Sequence, residues 1–138
     1  MSEDLAAHEG QRWLLQAEED LDAAEKASTV LAKHYLACFL AQQSAEKALK
    51  AVFYDRGAAA VRGHSVAELC TAAESFDEQL AKMRPRWAKL DRYYIPTRYP
   101  DGLSGGMPYE AYDAGDAADA VGLAREVVSA ARERLARR

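Results

Sequence analysis

Nothing in this sequence approaches the roughly 18 to 20 consecutive apolar residues that a membrane-crossing helix needs, so no membrane role is expected. A basic excess is also missing. The net charge is −4, which excludes coating of nucleic acid by bulk attraction. Cysteine is scarce, with only Cys38 and Cys70. That rules out a disulfide framework, and both thiols are expected reduced and buried. No His/Cys spacing matches a zinc site. There is no Gly-rich phosphate loop and no nucleophile elbow, so neither a metal nor a cofactor is expected. Strand-like alternation, internal repeats and low-complexity tracts are absent too. The start, Met-Ser-Glu-Asp, lacks the basic and apolar regions of a signal peptide. The expected location is cytoplasmic.

What remains is helix. With 138 residues, 49% apolar and 29% charged of both signs, the chain can build one globular domain, 1–138, around one core. Trp13, Leu14, Ala17, Leu21, Ala24, Ser28 and Leu31 recur at helical spacing and predict a first helix over about 9–28. A second is predicted from Tyr35 to Arg56, stopped by Gly57. One of its faces is small: Ala37, Cys38, Ala41, Ala45, Ala48, Leu49 and Val52. Another begins with Leu36, Phe39 and Leu40 and turns polar at Gln43, Lys47 and Lys50. A helix so built belongs in the middle of a bundle, where alanines admit close neighbours.

Ser65 with Glu68 three residues on fits a capping box for a third helix. Asp77 can cap a fourth, which Pro85 must kink or split. A last long helix is predicted from near Tyr109, with Ala117, Ala120, Val121, Ala124, Val128, Ala131 and Leu135 on one face and Asp113 in line one turn earlier. Its basic end, Arg132, Arg134, Arg137 and Arg138, suits the helix dipole or a local phosphate patch. The predicted fold class is all-α, an up-and-down bundle of four to five helices.

Between the fourth and last helices lies Tyr93-Tyr94-Ile95-Pro96-Thr97-Arg98-Tyr99-Pro100-Asp101-Gly102. Its prolines forbid a continuous helix. Its three Tyr make it too aromatic for a solvated linker. It is a structural staple or the wall of a site. Asp20 falls on the apolar face of the first helix, where an unpaired carboxylate is costly. It needs a cationic partner unless it reaches water at the stripe's edge, and Arg98 is the expected one. Of the three histidines, His8 is expected in a loose terminus and His34 at a half-buried or surface position. His64, two residues after Arg62, precedes the Ser65 cap, where it either shapes the turn or meets an anion.

The run Ala37 to Ala51, with Gln42-Gln43-Ser44-Ala45-Glu46-Lys47 at its centre, resembles the second-helix signature of the HEPN family (higher eukaryotes and prokaryotes nucleotide-binding). Arg12-Trp13-Leu14 with Ala17 to Leu21, His64-Ser65, and Tyr93 to Pro100 are similar to the family's other landmarks, in family order. The resemblance implies a helical bundle that forms homodimers and pairs with a small protein of nucleotidyltransferase fold in toxin–antitoxin modules. It also implies nucleotide or RNA as ligand. Many members are metal-independent endoribonucleases that carry an Arg followed, after four to six residues, by a His. Here neither Arg92 nor Arg98 is followed by any His.

The sequence therefore leaves three readings. The first is a nucleotide- or RNA-associated module lacking that motif, with Arg98, Lys47, Gln43, His64, Tyr93, Tyr94 and Tyr99 as candidate phosphate- and base-binding residues and Asp20 orienting Arg98. The second is an endoribonuclease with a non-standard site, such as His64 with Arg98. The third is a purely structural interaction module.

Overall fold

A computed structural model describes residues 2–137. All regular structure among them is helical: α1 (Glu3–Thr29), α2 (His34–Asp55), α3 (Val66–Ala72), α4 (Glu78–Lys82), α5 (Arg84–Trp87), α6 (Pro108–Ala111) and α7 (Ala114–Ala136), with short 3₁₀ turns at Ala73–Ser75, Ala88–Tyr93 and Pro100–Gly102. None of these helices is long and apolar enough to cross a membrane. The all-α bundle is as predicted. The helix count is higher because two breaks cut the predicted elements.

The first break is at Pro85, where the fourth helix divides into α4, α5 and a 3₁₀ turn. The second is at Tyr112 and Asp113, both extended. Asp113 is not inside the last helix but caps it. Its carboxylate accepts from the Asp116 amide while Asp116 accepts from the Asp113 amide, each at 2.9 Å. A short acidic side chain that bonds its own backbone favours such an end over a helix interior. At the other extreme, α1 starts six residues earlier than its apolar stripe predicts, on a Ser2 cap that accepts from Leu5 N. His8 thus lies exposed on a helix rather than in a loose terminus.

The body is α1, α2 and α7, packed on one another around the small face of α2. Ala37, Ala41, Ala45, Ala48 and Ala51 are all fully buried there. Ser44 donates to the Ala17 carbonyl at 2.7 Å, a side chain of α2 reaching the backbone of α1. Gly10 explains the closeness at the far end of that crossing. A Cβ at Gly10 would stand 2.8 Å from Asp55 Cβ and 3.0 Å from the Ala51 carbonyl oxygen. Leu49, Leu80, Leu90, Val127 and Val128 fill the space between backbones, each contributing about 1.5–3 kcal/mol by burial.

Cys38 and Cys70 are free and buried. Burial pushes the Cys38 thiol up to about 12 and the Cys70 thiol up to about 11, which leaves them inert as nucleophiles. The basic residues of α7 are paired rather than collected into a phosphate patch. Arg125 meets Glu25, Arg132 meets Glu18, and Arg134 meets Asp77. Arg138 lies outside the described residues.

Candidate functional site

The Tyr/Pro segment crosses the bundle as turns, and Tyr93, its first residue, faces inward. Tyr93 is 6% exposed and sits edge-on to Tyr112 at 5.8 Å. Burial pushes its hydroxyl up to about 12. It is therefore largely core, and the hollow it borders lies toward α7, with Arg86, Arg92 and Asp116, rather than beside Arg98. One helical turn on, the fully buried Thr97 hydroxyl donates to the Tyr93 carbonyl. That bond folds the chain back and turns Arg98 outward. Gly102 closes the loop: a Cβ there would stand 3.0 Å from Pro96 Cα.

Arg98 donates from Nε to the Tyr94 carbonyl at 2.8 Å. Its guanidinium carbon lies 4.7 Å from the Phe39 ring centre, 4.6 Å from Tyr94 and 5.1 Å from Tyr99. These are cation–π distances. No carboxylate pairs with it among the described residues. The expected partner is elsewhere. Asp20 is held by Lys47 at 2.5 Å and by Gln16 at 2.9 Å. Asp20 is indeed buried and paired, but its cation comes from the facing turn of α2, the helix packed along α1. Lys47 is thereby committed to that pair, beside a hollow lined by Trp13, Gln16 and Arg12. A groove of about 400 Å³ runs beside Arg98, walled by Tyr35, Leu36, Phe39, Pro100 and Tyr109.

On its other side, Tyr94 stacks on His64, ring centres 4.8 Å apart and planes 18° apart. So Tyr94 joins two expected site residues that are far apart in sequence. His64 Nδ1 is 3.1 Å from Glu46 Oε1. The other oxygen of Glu46 accepts from Lys50 at 3.2 Å. Both Glu46 and Lys50 are almost wholly buried, and Lys50 lies over the Trp13 ring at 5.7 Å. Buried Gln42 donates to the His64 backbone carbonyl at 2.9 Å, and Gln43 donates to Gln42 at 2.8 Å. Gln43 thus acts on His64 at one remove.

Ser65 caps α3 by accepting from Glu68 N at 3.1 Å, but among the described residues Glu68 does not reach back to complete the predicted capping box, and Asp91 instead serves the next free amides. Its carboxylate accepts from Ser65 Oγ and from the amides of Val66 and Ala67 at 2.7–3.0 Å. The anion at this helix start is therefore the protein's own. Asp91, Glu46 and Gln42 escaped the sequence reading. Glu46 and Gln42 sit in a helix whose polar positions look solvent-facing, and Asp91 lies 26 residues from Ser65.

The structure therefore brings together Arg98, Tyr94, Tyr99 and His64, with Gln43 behind them. It keeps the Asp20–Lys47 pair apart and sets Tyr93 against Tyr112 instead. The stretch that builds both the body and this clasp, residues 11–134, matches the HEPN domain pattern. The chain belongs to the HEPN family. Two solved structures resemble it closely. TT1696 from Thermus thermophilus is 35% identical, with a TM-score of 0.80, over 91% of this chain and 97% of the other. ST0689, an archaeal HEPN homologue, is 35% identical with a TM-score of 0.73 over the same shares. No curated protein matches this HEPN chain.

Proposed function

We propose that this HEPN chain binds the phosphate and base of a nucleotide or of RNA beside Arg98. On this reading it works as a homodimer and partners a small protein of nucleotidyltransferase fold in a cytoplasmic module of toxin–antitoxin type. The observation that carries the ligand is the state of Arg98. It is a guanidinium held among three rings, with no carboxylate to neutralise it among the described residues. Such a group binds phosphate well, because the ion pair with an acidic side chain has not already been made. Tyr99 and Tyr109 leave about half of their surface open beside it, and an open ring stacks a base for about 1–3 kcal/mol. The dimer and the partner protein follow from the family alone. His64 is the last histidine in the chain and precedes Arg98, so the family's Arg-to-His spacing is lacking.

The test is titration calorimetry of the wild type and Arg98→Ala with mononucleotides and a short single-stranded RNA. Binding that disappears in Arg98→Ala, with the far-UV helical signal unchanged, supports the reading. No heat with any nucleotide in the wild type would favour a structural module instead.

A further inference from the structure

The groove beside Arg98 offers few polar partners. Its walls are Tyr35, Leu36, Phe39, Pro100, Pro108 and Tyr109. Arg98 is the only charged side chain that lines it. The Thr97 hydroxyl at its edge is already given to the Tyr93 carbonyl, and the two prolines carry no N–H. Among the side chains, that leaves the Arg98 guanidinium and the hydroxyls of Tyr35 and Tyr109 to meet polar ligand atoms.

The guanidinium is arranged for one anion. Its Nε is committed to the Tyr94 carbonyl, and the rings of Phe39, Tyr94 and Tyr99 surround it. Its terminal nitrogens make no hydrogen bond to the described residues. They leave a planar fork of N–H donors that suits two oxygens of a single phosphate.

A nucleotide places three demands on such a groove. A diphosphate or triphosphate tail brings further charge, which needs further cations, a Gly-rich loop or a metal. No second cation lines the groove, and charge sequestered without a partner is costly. Reading a base requires donors and acceptors set against its edge, and these walls supply only two phenol groups. Holding the flat face of a base requires only an open ring. Tyr109, 60% exposed, supplies one.

We infer that this groove is a one-charge, base-blind site. It takes a nucleotide unit through a single phosphate on Arg98 and through the flat face of the base on Tyr109. It gains nothing from a polyphosphate tail and does not read which base is present. The inference rests on the ligand reading above and adds the class of ligand: a nucleoside monophosphate or one phosphodiester unit of a single strand, in preference to a nucleoside triphosphate.

The experiment is titration calorimetry of the whole protein, under chelator, with AMP, ATP and short single-stranded homopolymers of A, C and U. It is repeated for Tyr109→Phe, Tyr109→Leu and Arg98→Ala. Expected are affinities for AMP and ATP within about tenfold of each other, and the same among the homopolymers. The slope of log K against log salt for a homopolymer should be near −0.7, which corresponds to about one phosphate contact on a single strand. Tyr109→Phe should bind as the wild type does, because only the ring is used. Tyr109→Leu should bind about 5- to 100-fold more weakly. Tyr109 is exposed, so neither change disturbs the core. A preference above about tenfold for ATP or for one base, or a slope steeper than about −1.4, overturns the inference. So does full affinity in Tyr109→Leu, or a Tyr109→Phe variant as weak as Tyr109→Leu. In each of those cases, binding that is still lost in Arg98→Ala leaves the phosphate reading standing. A wild type that binds no nucleotide overturns both.

Discussion

The α1–α2–α7 body and the 93–108 segment solve the same problem with opposite means. In the body, contact is between backbones brought close by small residues, repeated along whole helices. Ala17, Ala24, Ala41, Ala45, Ala48, Ala120 and Ala124 are all fully buried. In the segment, contact is made by a few large groups: Arg98 on its rings, Thr97 on the Tyr93 carbonyl and Gly102 against Pro96. The first arrangement spreads its energy over many positions. The second concentrates it in a few, and leaves cationic and aromatic surface exposed. That difference explains why the candidate site lies on the segment: a close-packed alanine interface leaves nothing for a ligand to meet.

Two glycines test this contrast with one kind of substitution. Gly10→Val places a Cβ against Asp55 and Ala51 in the body. Overpacking of that sort costs about 1–3 kcal/mol, so the global Tm should fall by several degrees. An unchanged Tm would show that the α1–α2 crossing has slack.

An intermediate effect is expected at Asp77, where the basic end of α7 meets the cap of α4. Asp77 accepts from Leu80 N and from Arg134 Nε, the latter at 2.6 Å. Burial pushes its carboxyl up, but the Arg134 hydrogen bond, the cap and the Arg134 charge together hold it below its ordinary value. A depressed carboxyl adds stability above its unfolded pKa, near 4, and loses it as pH falls through the folded value. Asp77→Ala should therefore lower stability by about 1 kcal/mol at pH 7, with the gap between mutant and wild type closing in acid melts below about pH 4. A gap that persists at low pH would assign the loss to packing.

The smallest global effect is expected at Gly102→Val, whose new carbons would press on Pro96 and Ile95. Only the loop should shift, so Tm should change by less than in Gly10→Val while ligand binding at Arg98 weakens. Equal losses of Tm for the two glycine variants would erase the distinction between body and segment.

Much of the body could be read from periodicity, because helix faces follow directly from spacing of apolar residues. The small face of the second helix, the Gly57 stop, the Ser65 and Asp77 caps and the split at Pro85 are all local features of the chain, and the structure has them. Partnership was less legible. Asp20 reads as a buried carboxylate needing a cation, but the expected cation was Arg98 and the structure supplies Lys47. Tyr93 and Tyr94 are adjacent and alike, yet one is core and the other is the ring shared by Arg98 and His64.

The sequence by itself determined that this is an alanine-rich helical bundle with a rigid aromatic break, because propensity, capping and proline geometry act over a few residues. Only the tertiary structure decided which charges pair, which tyrosine faces outward and that Glu46 lies behind His64. Those outcomes depend on helix rotation and on contacts between residues far apart in the chain, which no local pattern encodes. Arg98, first legible as a lone cation in a stiff turn, has its rings assigned only in the fold.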